Sequence, residues 1–122
     1  MEEGQRRELQ KNFRKEVFEV LDLISSKEEQ LDYQSKAPIA YVSAELFNQW
    51  EDCYQIPKDQ DWYIGAFTDK EHKILREFNE AFEVVCSETP QNPPDIQEFI
   101  KTPEWLKLSC AAKKAIDGLN EK

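Results

Sequence analysis

Apolar residues recur at helical spacing along nearly the whole chain. Leu9, Phe13, Val17, Val20, Leu21 and Ile24 form one stripe with polar positions between them, which predicts a first helix of about 20 residues. Ser26 and Glu29 then have the spacing of a capping box, so a short second helix is expected from about residue 27 to the Lys36-Ala37-Pro38 loop. Ser43 precedes AELFNQWEDCY, in which Leu46, Trp50 and either Cys53 or Tyr54 share a face. With Glu45 in the first turn, this reads as a third helix of about ten residues, capped by Ser43 and ending before Pro57. Thr68 and Glu71 open the clearest pattern, with Ile74, Leu75, Phe78, Ala81, Phe82 and Val85 on one side of a helix over 69–87.

The proline-rich stretch SETPQNPPD, residues 87–95, separates that helix from a short one around DIQEFI. Thr102 caps the last helix, Pro103 takes its first position, and Trp105, Leu108, Ala112, Ala115, Ile116 and Leu119 run down its apolar side. Only IAYV and YIGAF hold strand-like residues. The expected fold class is therefore all-α, an irregular bundle of four to six helices, with room for one very short β pairing between those two segments. A chain of 122 residues buries roughly two-thirds of its unfolded surface around one core, so residues 1–122 read as a single helical domain.

Charge narrows the choice of partner. The formal net charge is −9, and residues 31–101 carry 14 carboxylates against six lysines and arginines. Such a surface repels a phosphate backbone and anionic lipid headgroups, so neither nucleic acid nor membrane is expected as a partner. MEEGQRRELQKNFRKE lacks the apolar centre of a secretory signal, and no stretch approaches the ~20 apolar residues of a membrane span, so the expected compartment is cytoplasmic. Cys53, Cys86 and Cys110 are odd in number and widely spaced, which predicts buried free thiols in place of a disulfide framework.

Candidate chemistry is sparse. His72, the single histidine, lies in the first turn of its helix away from the apolar stripe and reads as a surface residue. No two of the cysteines and the histidine have paired metal-ligand spacing. Gly4, Gly65 and Gly118 form no phosphate-cradling loop, and Trp62 and Tyr63 interrupt the calcium-loop beginning at Asp59 and Asp61. No catalytic residue, metal ligand or cofactor is assigned, and a non-enzymatic role is expected.

One stretch stands apart. NQWEDCYQIPKDQDWY, residues 48–63, holds four aromatic rings and four carboxylates around one lysine, Lys58. Carboxylates interleaved with aromatic residues suit an interface with a basic protein, which makes Glu51, Asp52, Tyr54, Asp59, Asp61, Trp62 and Tyr63 the expected partner-binding set. The competing expectation is structural: Trp50 continues the Leu46 stripe into the core, and Trp62 covers the bundle from a loop.

The other charges have plainer readings. In the first helix Arg6, Arg7, Lys11, Arg14 and Lys15 precede Glu16, Glu19 and Asp22, against the helix dipole; they either pair with acidic neighbours or form a second, basic contact site. Lys73 with Glu77 and Arg76 with Glu80 read as solvated pairs four residues apart.

In size and charge the chain resembles small neutralising proteins, in particular the immunity proteins that shield a bacterium from a nuclease toxin. That resemblance implies a basic toxin domain as partner and an inhibitor that is a monomer or small homo-oligomer. The alternative is a self-associating adaptor or regulatory subunit without catalytic activity.

Overall fold

A computed structural model describes residues 2–120. The helices are α1 Glu3–Ser25, α2 Lys27–Lys36, α3 Val42–Trp50, α4 Asp61–Ile64, α5 Asp69–Glu88, α6 Ile96–Phe99 and α7 Pro103–Asn120, with a π-helical turn Glu51–Gln55 directly after α3. The fold is all-α: the described residues contain no strand, and seven helices where four to six are expected.

The extra helix comes from a segment with strand-like residues. In YIGAF, the Tyr63 and Ile64 amides both donate to the Gln60 carbonyl at 3.0 Å, which winds the four-residue α4 and carries the Tyr63 ring into the core. Burial of one large ring outweighs the β preference of its neighbours. IAYV supplies no strand partner, since Ala40 closes a turn onto the Ala37 carbonyl and Val42 already belongs to α3.

Three long helices form the frame, with α7 packed against both α1 and α5. Their buried stripes are the periodic ones: Val17, Val20, Leu21 and Ile24 in α1, Leu75, Phe78, Phe82 and Val85 in α5, and Trp105, Leu108, Ala112 and Ala115 in α7. Helices α5 and α7 run antiparallel. A Cβ on Gly118, late in α7, would lie 3.0 Å from Ile74 Cδ1 early in α5, while at the other end Lys107 Nζ sits 2.9 Å from Glu88 Oε2. Across the frame lies α3, whose Trp50 meets the Phe78 ring edge-on at 4.6 Å and stacks on Tyr54 at 4.7 Å.

Polar groups inside the bundle close its helix ends. The Gln30 side chain is fully buried, and its Nε2 donates to the Leu23 and Ile24 carbonyls at 2.9 and 3.0 Å while its Oε1 accepts from Trp105 Nε1 at 2.8 Å. These are carbonyls of the last turn of α1, which have no donor within their own helix. Thr68 and Glu71 complete both halves of a capping box at α5. At α2 only the Ser26 half is made, accepting from the Glu29 amide at 3.1 Å.

Helix α3 begins at Val42, one residue before the expected cap. Ser43 is inside the helix because its hydroxyl donates to the Pro94 carbonyl at 2.5 Å. The cap comes from a distant side chain instead, Gln34, whose Oε1 accepts from the Val42 amide at 3.4 Å and whose Nε2 donates to the Ala40 carbonyl at 2.7 Å. The Tyr41 hydroxyl donates to the Pro93 carbonyl, so the proline-rich connector is docked on the start of α3.

The thiols differ from expectation. Cys53 is buried, but Cys86 and Cys110 are exposed. Cys86 lies one position past Val85, about 100° around the helix from the buried stripe, which turns it outward.

Candidate partner-binding face

The π turn explains how the 48–63 stretch is built. The Ile56 amide donates to the Glu51 carbonyl at 3.0 Å, a five-residue span, and Pro57 then has no amide hydrogen for the Cys53 carbonyl that an α-helix would offer it. That carbonyl is satisfied from α4, where the Tyr63 hydroxyl donates to it at 2.8 Å. Asn79 of α5 binds the same region from the other side. Its Oδ1 accepts from both Trp50 Nε1 and Gln55 Nε2 at 2.9 Å.

Helix α1 holds the loop that follows. Gln10 Nε2 donates to the Trp62 carbonyl at 2.9 Å, and the Trp62 ring packs on Phe13 with centroids 5.0 Å apart. The Arg14 guanidinium donates to both Glu71 oxygens at 2.7 and 2.6 Å and to the Ala66 carbonyl at 3.3 Å, with its flat face near the Phe18 and Phe67 rings. Glu71 also accepts from the Thr68 amide at 2.9 Å. The hydrogen bonds from Arg14 hold the Glu71 carboxyl at about 2, well below its usual range. Among the basic residues of the first helix, Arg14 thus takes the pairing role, and Arg7 and Lys15 pair with Glu3 and Glu19 along α1.

These contacts sort the seven expected site residues into two groups. Tyr54 and Tyr63 are buried, as is Trp50 beside them, and burial raises both phenols above their ordinary range. Their rings therefore support the face from beneath. Glu51, Asp52, Asp59 and Asp61 are exposed, and Trp62 is half-buried. Ile56 and Ile64, which sequence reasoning passed over, stand beside them 66% and 50% exposed.

Further carboxylates approach from other helices. Burial, followed by the charges of Glu16 on α1 and Asp52, pushes the Cys53 thiol up. Burial, followed by Glu83 on α5 and Glu51, pushes the Cys86 thiol up to about 11. The π turn thus carries an acidic ridge, flanked by Glu16 of α1 and Glu83 of α5, and the charge of Arg76 on α5 reaches Tyr54 beneath it. None of Glu16, Glu51, Asp52, Asp59, Asp61 and Glu83 is in an ion pair with another described residue. Only the fold could reveal Glu16 and Glu83 as members, since they lie 35 positions before and 28 positions after the π turn Glu51–Gln55.

Below the ridge, a cleft of about 580 Å³ opens between the 58–64 segment and α5. Its charged lining has both signs, Lys58 and Arg76 against Asp59, Asp69 and Glu80. His72 lines it too. The histidine is half-buried instead of fully on the surface, with Nε2 2.7 Å from the Ile64 carbonyl and its ring edge-on to Phe67.

Nucleophilic chemistry finds no support in these positions. Cys86 and His72 share α5 about 21 Å apart along the axis, and a thiol pushed up to about 11 is protonated at neutral pH. Among the described residues no group of three or more histidines, cysteines or carboxylates is arranged to hold a metal ion, and no helix is long and apolar enough to cross a membrane. Lys73–Glu77 and Arg76–Glu80 are not among the ion pairs the described residues form. No protein-family model matches the chain, and neither the curated proteins nor the solved structures yield a match to it.

Proposed function

We propose that this chain is a small protein-binding inhibitor that acts by contact and without catalysis, in the manner of an immunity protein covering the basic surface of a nuclease-like toxin domain in the cytoplasm. The observation that carries the reading is the acidic ridge. Carboxylates from α1, the π turn and α5 act on Cys53 and Cys86 and form no ion pair with another described residue, and exposed Ile56 and Ile64 and half-buried Trp62 belong to the same 48–64 stretch. Like charges held together oppose folding, and a basic partner relieves that repulsion while the isoleucines and Trp62 supply apolar contact.

The test starts from a partner recovered by pull-down from the source cell or encoded by the adjacent reading frame. Association is then measured at low and high salt for the wild type and for two charge reversals, Asp59→Lys/Asp61→Lys and Glu51→Lys/Asp52→Lys. Both variants should fold, because exposed carboxylates contribute little to stability. Association should slow and lose much of its salt dependence. Unchanged kinetics together with a large drop in melting temperature would assign these acids a structural role and refute the proposal.

A further inference from the structure

The groove between α5 and α7 lies on the face of α5 turned away from Glu83, which is about 180° around the helix from Ile74, and the surplus charge of its lining is positive. It encloses about 780 Å³ over a floor that includes Ile74, Phe78, Ala81, Ala111, Ala115 and Gly118. Small side chains on both walls let a third backbone come close, and Val84 and Leu106, 52% and 57% exposed, extend the apolar surface beyond Ala81. On α5, Ile74, Ala81 and Val84 share one face at helical spacing. The span from Ile74 to Val84 is about 15 Å, nearly three turns of helix.

The rim gives the occupant its charge. Lys73, Lys113 and Lys114 stand there against two carboxylates, Glu77 and Asp117, in a protein whose net charge is −9. Lys73, Lys113 and Lys114 form no ion pair with another described residue. The positive end of the groove lies beside Ile74 and Gly118. At the opposite end Lys107 is already paired with Glu88, and the charge of Glu104 acts on it as well, so that end has no surplus positive charge.

We infer that this groove is a second docking site, and that its occupant is an amphipathic helix of another protein with carboxylates flanking one end of its apolar stripe. Apolar residues at i, i+3, i+4 and i+7 fill the space over the alanines and reach Val84 and Leu106. The acidic end meets Lys73, Lys113 and Lys114. The chain would then hold a basic protein at the π turn and an acidic helix on α5 and α7, and the second contact does not depend on the first.

The probe is a fluorescein-labelled amphipathic peptide of about 14 residues, leucines at i, i+3, i+4 and i+7 and glutamates beside them, compared with the same peptide carrying lysines. Anisotropy should report binding of the glutamate peptide. Lys73→Glu/Lys113→Glu should weaken it by about tenfold or more while leaving the far-ultraviolet circular dichroism unchanged, and rising salt should weaken the wild-type interaction. Cys110 lines the groove and Cys86 does not, so the bound peptide should slow alkylation of Cys110 alone. No binding of the glutamate peptide, or equal protection of Cys110 by the lysine peptide, overturns the inference. So does a protein that sediments as a dimer with Cys110 protected before any peptide is added, because a second copy would then be the occupant.

Discussion

Replacing Glu71 by Gln keeps the shape of the side chain and removes its charge. In the native protein that carboxylate accepts two hydrogen bonds from Arg14 and one from the Thr68 amide, tying α1 to the start of α5. Its folded pKa of about 2, against an ordinary value of 4.5, corresponds to about 3 kcal/mol by linkage. Arg14 keeps a side-chain exposure of 40%, so solvent screening reduces the expected loss to roughly 2 kcal/mol at pH 7. The sign follows from the lowered pKa. The stabilisation is present in full above the unfolded value of about 4.5 and disappears as pH falls through about 2. Urea unfolding of the wild type and Glu71→Gln should therefore differ by roughly 2 kcal/mol at neutral pH and converge near pH 2. A gap below about 0.5 kcal/mol at pH 7, or one that does not narrow on acidification, would refute the assignment of this ion pair.

Phe78 and Phe82 are both 2% exposed, and either one changed to Ala should cost about 3 to 5 kcal/mol in denaturant unfolding. Gln30→Ala should cost about 2 to 4 kcal/mol, because it strands the Trp105 indole N–H and takes a donor from two α1 carbonyls. In native protein at pH 8, mass spectrometry after maleimide treatment should find Cys110 modified first, Cys86 slowly, and Cys53 only after unfolding.

The long helices were legible in the sequence because burial repeats along them, so each apolar residue in a stripe corroborates the next. Helix α4 was not: it has a single turn, and what decides its conformation is the Tyr63 ring finding the core and its hydroxyl finding the Cys53 carbonyl. Gln30 was equally hidden, a lone polar residue whose three partners lie in α1 and α7. Of the candidate face, the exposed acids of 48–63 could be named from local composition, whereas the inward turn of Tyr54 and Tyr63 depends on tertiary packing. Glu16 and Glu83 belong to helices that read, one at a time, as ordinary solvated faces.

The three tryptophans sit in three different surroundings, which makes the protein its own optical reporter. Trp50 is fully enclosed, Trp105 is nearly so with its indole tied to Gln30, and Trp62 is half-buried next to exposed Asp61 with its ring on Phe13. Emission from the first two belongs at short wavelength and should ignore ionic quenchers until the bundle opens. The red edge of the spectrum belongs mainly to Trp62, and the proposed acidic face predicts that caesium is concentrated and iodide repelled there. A difference between the two quenchers at that edge measures the field over the face directly, and a basic protein seated there would abolish it.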